Sequence, residues 1–273
     1  MTSQVTSTAE AAHTRPDRPC AVRERIRARR GVVLAPGDAL FLDFDGTLVD
    51  IAPTPEAVRV PDGLAALLAD LQVAFDGAVA LVTGRAVADV DRFVAPARLS
   101  IAGVHGGEIR LLPSATVLLT ADPIEEGVVE RVTDAVADIA GLRLERKSSS
   151  IAVHYRDAPL SSGLIEARLQ AVLTRDVERL VLMRGRRVFE IVPRAIGKGM
   201  ALADFAAYPP FVGRRPVMIG DDVSDETAFA AAERLGGAAL RVGGEHFGPG
   251  LADFAGPEEV RSWLTDYLRR TRR

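Results

Sequence analysis

Lysine is nearly missing from this chain. Of 34 basic residues, 32 are arginine, and lysine stands only at Lys147 and Lys198. A compact ammonium and a planar guanidinium are not interchangeable in a close polar site, so both lysines are candidate functional residues. Cysteine is as scarce. Cys20 stands alone, which excludes a disulfide framework and fits a reducing compartment. The first thirty residues hold no apolar core of a secretory signal, and no apolar run reaches membrane-spanning length. A cytoplasmic protein is therefore expected. The net charge of −3 gives no strong overall pull toward nucleic acid or membrane, and neither is expected as a partner. That small total hides an asymmetry. Residues 1–30 hold seven arginines against Glu10, Asp17 and Glu24, and the chain closes on "RRTRR". Both basic ends are expected to be solvated and loosely ordered, and residues 1–30 are set aside as a basic arm.

What remains is rich in apolar residues, 48% of the 273, enough for a sizeable core. From Gly31 the pattern alternates strand and helix. "ALFLDF" is a continuous apolar run of the kind buried on both faces of a parallel sheet. "PDGLAALLADLQ" carries Leu64, Leu67, Leu68 and Leu71 at helical spacing. "GAVALVTGR" is a second strand, "AVADVDRFV" a helix, and "SIAGVHGGEIR" a strand running into a glycine-rich loop. The class is α/β with a central parallel sheet.

After a helix within "DPIEEGVVERVTDAVADIAG" the style changes. "LRLERK" and "SSIAVHYR" read as an antiparallel hairpin, "LSSGLIEARLQAVLTR" as a helix, and "RLVLMRGRRVFEIV" as a second hairpin turning at Gly185-Arg186. This α+β unit, residues 115–192, interrupts a core formed by 31–114 and 193–273. The core style resumes with helices in "GKGMALADFAA" and "DETAFAAAERLG" and strands in "RPVMIGDD" and "AALRVG".

Open α/β sheets bind ligands at the carboxyl ends of their strands. Those ends are polar here: Asp43 and Asp45, then Thr83-Gly84-Arg85, then His105, then Asp221-Asp222, with Lys198 opening a helix. Two aspartates so close repel unless a cation offsets them. The residue types suit phosphoryl transfer. A carboxylate can attack phosphorus, Mg²⁺ prefers carboxylate and phosphate oxygens, and an ammonium, a hydroxyl and backbone amides can hold the transferring group. Lys198, Thr83 and the Gly46-Thr47 turn supply these donors.

Four segments, "DFDGTL" (43–48), "TGR" (83–85), "KG" (198–199) and "GDDVSDETAF" (220–229), resemble in order the motifs of the haloacid dehalogenase-like phosphatases. The resemblance implies a Rossmann-like core with an inserted cap. It makes Asp43 the nucleophile and a Mg²⁺ ligand, and Asp45 the general acid and then base, with its carbonyl on the metal. Thr83 and Lys198 hold the phosphoryl group, and Asp221 completes the metal site with Asp222 and Asp225 near it. Strand alternation puts Arg143, Glu145 and Lys147 on one side of the cap, with Ser150, Ala152, His154 and Arg156 on one side of the next strand. A solvated sheet face or a polyol site would both look like this. "GVHGGEIR", "ERKSSSIAVHYR" and "FEIVP" are similar to the trehalose-6-phosphate phosphatase family. That implies that Glu145, Lys147, Ser150 and Glu190 meet the sugar, with Gly84, Arg85 and His105 lining the core side. His154, Tyr155 and Arg156 read as scaffolding, although His154 could touch sugar.

Ser224 and Thr227 depart from the family's commoner Thr and Asp. No synthase-like domain precedes the phosphatase motifs, which implies a stand-alone enzyme. The expectation is a monomeric enzyme that removes phosphate from trehalose 6-phosphate, closing trehalose synthesis. The rivals are a phosphatase for sucrose 6-phosphate or mannosyl-3-phosphoglycerate, a sugar-phosphate mutase, and a non-catalytic sensor.

Overall fold

The computed structural model describes residues 31–271; the basic arm expected over 1–30 lies outside them. Strand β1 (Asp38–Leu42) sits in the middle of a sheet, between β2 (Val79–Val82) and β10 (Arg215–Gly220). β3 (Ser100–Gly103) extends it on one side and β11 (Ala238–Arg241) on the other, all parallel. β1 to β3 are buried along their whole length, which is why their sequences are apolar without alternation. The order β11-β10-β1-β2-β3 reverses direction at β1 and β10, and a ligand crevice is expected beyond the carboxyl ends there.

Two strands at the far edge were not expected. The segment read as a glycine-rich loop makes a short 3₁₀ turn at Val104–Gly106 and returns as β4 (Glu108–Arg110), antiparallel to β3. β5 (Leu118–Leu119) then pairs with β4, so the large sheet continues past residue 114. The basic C-terminal stretch also differs from expectation. Helix α7 (Pro257–Thr271) runs through its first three residues. Val260, Leu264 and Leu268 recur every four residues and are buried, so burial of one face fixes this helix. It packs on α1 (Leu64–Ala74), and the Phe75 and Tyr267 rings stack at 5.1 Å. Helix α2 (Val87–Val94) follows β2; α5 (Lys198–Ala206) and α6 (Glu226–Arg234) pack on each other. Among the described residues no helix is long and apolar enough to cross a membrane.

The second sheet is antiparallel, in the order β6 (Arg143–Arg146), β7 (Ile151–His154), β9 (Val188–Pro193), β8 (Leu180–Gly185). Its hairpin turns on Arg186 and Arg187, not on Gly185-Arg186. Gly185 stays in the ladder opposite Val188, and the positive φ, 59°, falls on Arg187. One face carries its own apolar core. Val128, Val132 and Val136 of α3 (Glu126–Val136) and Ile165, Leu169 and Leu173 of α4 (Ser162–Leu173) close on Ile151, Val153, Phe189 and Ile191. Each such side chain contributes roughly 1.5–3 kcal/mol on burial. The opposite face is polar. Register puts Glu145, Ala152, Glu190 and Met183 in one row across the four strands, and Arg143, His154, Val188 and Gly185 in the next. The small Ala152 leaves the two glutamates facing one space.

Candidate active site

The carboxyl ends of β1, β2 and β10 meet the polar face of the second sheet, and one cavity lies between them. Asp43, Asp45, Thr83, Gly84, Arg85, His105, Glu145, Lys147, Glu190, Lys198, Asp221 and Asp222 all line it. Asp43 and Asp222, 179 positions apart in the chain, thus share one space. Gly46, Thr47 and Ser150 do not line it. Gly46 has φ 80°, and a Cβ there would fall 2.1 Å from Asp221 Oδ2, so only glycine lets the turn come so near that carboxylate. The buried Thr47 hydroxyl donates to Asp221 Oδ1 at 3.2 Å. Both therefore support Asp221 from behind. Ser150, expected to meet sugar, is fully buried in the turn after β6, and its carbonyl accepts from Lys147 N–H at 2.9 Å. It braces the lysine and is closed off from the cavity.

At the deep end the groups are buried and charged. β1 ends at Leu42, so Asp43 and Asp45 follow the strand rather than ending it. Lys198, at the first position of α5, donates to Asp43 Oδ1 at 2.8 Å and to Asp225 Oδ1 at 2.7 Å. The other oxygen of Asp225 accepts from the amides of Asp221 and Asp222 at 3.1 and 3.0 Å. Asp225 is spent on holding lysine and loop together. Asp43, Asp221 and Asp225 offer oxygens within 4.8 Å of one another. Burial raises the pKa of Asp43 and of Asp221, and neighbouring carboxylates add to it; Lys198 opposes this only in part. The same crowding favours a hard divalent cation, and the all-oxygen donor set suits one. Expected metal residues Asp43 and Asp221 fall inside this cluster. Asp45 points elsewhere, to Arg85 (2.5 and 2.8 Å), and Asp222 caps the following 3₁₀ turn. Burial raises the Asp222 carboxyl too.

Of the two departures from the family pattern, Ser224 lines the cavity and Thr227 holds a glycine amide. Gly199 N–H donates to Thr227 Oγ1 at 3.2 Å, tying α6 to the start of α5 beside Lys198. Thr83 is buried, and its hydroxyl accepts from Arg85 N–H at 3.2 Å.

Toward the second sheet the charges pair across the seam. Lys147 donates to Glu190 Oε1 at 2.5 Å and to the carbonyl of Gly84 at 3.0 Å. His105 Nε2 contacts Glu190 Oε2. Burial would raise the Glu190 carboxyl, but Lys147 and His105 outweigh it and hold it well below the ordinary carboxylate range. Burial likewise works against the Lys147 ammonium, and Glu190 more than restores it. His154 bonds Glu145 at 2.8 Å and lowers its carboxyl, so this histidine both braces Glu145 and lines the cavity. Sequence reasoning missed Glu56, which pairs with Arg143 at 2.7 and 3.1 Å, Glu245, which pairs with Arg186 at 3.1 Å, and the Ala52 carbonyl, which accepts from Arg156. No local pattern announces a pair 87 residues apart.

A family model described as trehalose-phosphatase matches residues 41–245. The trehalose-6-phosphate phosphatase of Escherichia coli (strain K12) is 38% identical over 229 residues, covering 83% of this chain and 85% of its own. A probable trehalose-phosphate phosphatase of Sinorhizobium fredii is 43% identical over 206 residues, covering 75% and 77%. In fold, the chain resembles the C-terminal domain of C. albicans trehalose-6-phosphate phosphatase, with a TM-score of 0.74 over 96% of this chain and 99% of that one at 19% identity. The matched span holds every expected site residue, from Asp43 to Asp222, and the chain belongs to the trehalose-phosphatase family.

Proposed function

We propose that this chain hydrolyses trehalose 6-phosphate to trehalose and phosphate, with Mg²⁺ as cofactor and an aspartyl phosphate as intermediate. The observation that carries the reading is one cavity with two unlike walls. One wall holds Asp43, Lys198 and Asp221; the other holds Glu145, Lys147 and Glu190. The first suits a phosphate ester and the second a polyol, whose hydroxyls need many paired donors and acceptors.

In this reading Asp43 attacks phosphorus. A bond forms between its oxygen and phosphorus while the bond to the sugar oxygen breaks, and Asp45 gives that oxygen a proton. Water then attacks the aspartyl phosphate, Asp45 takes its proton, and orthophosphate leaves. Lys198 and Thr83 hold the phosphoryl oxygens. Asp43 and Asp221 would hold Mg²⁺, with the Asp45 carbonyl and Asp222 assisting; the ion supplies charge that offsets repulsion between carboxylate and phosphate. The Arg85–Asp45 pair restrains the acid until substrate competes for the arginine. The segment between β5 and α5, as a cap over the large sheet, would select the sugar; the expected boundary at 115 moves past β5 because that strand pairs with β4.

Phosphate release from a panel of sugar phosphates, with and without Mg²⁺, tests this. Trehalose 6-phosphate should be preferred over sucrose 6-phosphate, mannosyl-3-phosphoglycerate and monosaccharide phosphates. Turnover of another ester with trehalose 6-phosphate ignored would overturn the substrate, and full activity in Asp43→Asn would overturn the nucleophile.

A further inference from the structure

The resemblance places His105 against the sugar. We infer instead that His105 is a positioning residue: it holds the carboxylate of Glu190 in the orientation that reads the sugar, and it does so from a strained stretch of backbone. The inference rests on the function proposed above and deepens it.

Three observations meet here. First, the backbone at this point is left-handed for two successive residues with side chains, Val104 at φ 48° and His105 at φ 56°. Such φ values are uncommon outside glycine, and rarest at a β-branched residue such as Val104, and they persist only where the surroundings impose them. Gly106, immediately after, is left-handed too, at φ 100°. Second, the ring is seated on the loop that follows β2. A Cβ built on Gly84 would fall 2.8 Å from both Cε1 and Nε2 of His105, so the imidazole lies directly against that backbone. Third, His105 is 7% exposed, and its Nε2 contacts Glu190 Oε2, while Lys147 takes Glu190 Oε1 and reaches back to the Gly84 carbonyl. The contacts close a ring, from Gly84 through Lys147 and Glu190 to His105 and back to Gly84.

A carboxylate only accepts hydrogen bonds, and Nε2 of His105 is the ring atom in ion-pair contact with Glu190 Oε2. Each oxygen of Glu190 is contacted by a different residue, Oε1 by Lys147 and Oε2 by His105. Lys147 sits on the same sheet as Glu190 and moves with it. His105 does not, and it is the second tie, beside the Lys147–Gly84 bond, between Glu190 and the turn after β2. The other ring nitrogen, Nδ1, is buried with no partner among the described residues. The ring is thus placed by its backbone and by Gly84, not by a second hydrogen bond, which gives the strained conformation a purpose.

The test compares His105→Gly with His105→Asn. Glycine and asparagine both accept the left-handed backbone, but only asparagine keeps a side-chain donor. In His105→Gly, KM for trehalose 6-phosphate should rise about tenfold, the cost of one hydrogen bond to a charged group. Its kcat, and hydrolysis of a small aryl phosphate, should stay within about twofold. His105→Asn should recover most of the loss. In a Glu190→Gln background, His105→Gly should cost little more, because the two residues act as one unit. Equal loss in the Gly and Asn variants, a parallel fall with the aryl phosphate, or full additivity with Glu190→Gln would each overturn the assignment. A wild-type protein that cleaves the aryl phosphate but no disaccharide phosphate would instead defeat the proposed function, and the inference with it.

Discussion

The two lysines of this chain occupy opposite walls of one cavity, and their surroundings differ in kind. Lys198 lies among Asp43 and Asp225, all contributed by the strand ends and helices around the large sheet. Lys147 lies between Glu190 of its own sheet and the Gly84 carbonyl of the other. The first is part of a self-contained cluster that exists whatever the second sheet does. The second is complete only when the sheets are together. Under the proposed function the chemistry would be preorganised around one sheet, while sugar recognition would be assembled across a seam.

Removing Lys198 should break this contrast most sharply. Lys198→Met leaves buried carboxylates facing one another without their cation. Activity on any phosphate ester should fall by about 10³-fold or more, and stability by about 3–5 kcal/mol. Both are read by phosphate release and thermal melting. Retained activity toward an aryl phosphate would mean that the cluster does not hold the phosphoryl group. Lys147→Ala should be selective. Its kcat/KM for trehalose 6-phosphate should drop about 10- to 100-fold, and that for a small aryl phosphate should change about twofold. Equal losses would place Lys147 outside sugar recognition.

A smaller effect follows from pH. The Glu190 carboxyl is held below its ordinary value in the folded protein by Lys147 and His105. A depressed folded pKa contributes stability that is present above the unfolded pKa, near 4.5, and is lost as pH falls toward the folded one. The stability gap between wild type and Glu190→Gln should therefore be widest near neutrality and shrink below about pH 4; denaturant melts at two pH values check it, and a constant gap would contradict it. Smallest of all is the exposed Arg143–Glu56 pair across the seam. Reversing one charge should raise KM about twofold, and reversing both should restore it. A larger change would promote this pair from the rim to the recognition site.

How much of this could be read from residues alone follows the same division. The deep wall was legible because its groups sit at strand ends, where a motif and a periodic apolar run coincide: Asp43 after "ALFL", Asp221 after "VMIG". What escaped was partnership. Asp225 was placed near the metal, but its tie to Lys198 spans 27 residues, and the Asp45–Arg85 pair spans 40. β5 escaped because two residues carry no period. Helix α7 had a readable signal in Val260, Leu264 and Leu268, which the run of arginines obscured. Ser150 was assigned to the sugar by the family resemblance; in the fold it is fully buried in its turn and does not line the cavity.

The chain leaves the large sheet after Leu119 and comes back to it through α5, which opens at Lys198. In the proposed reading Glu145, Lys147 and Glu190, which would meet the sugar, all lie between those two crossings. A lineage could therefore trade one recognition cassette for another by recombination at two junctions, inheriting the nucleophile and its lysine intact. Any newcomer would meet the His105 imidazole and the Gly84 and Ala52 carbonyls on the host, with Glu56 and Glu245 at the rim.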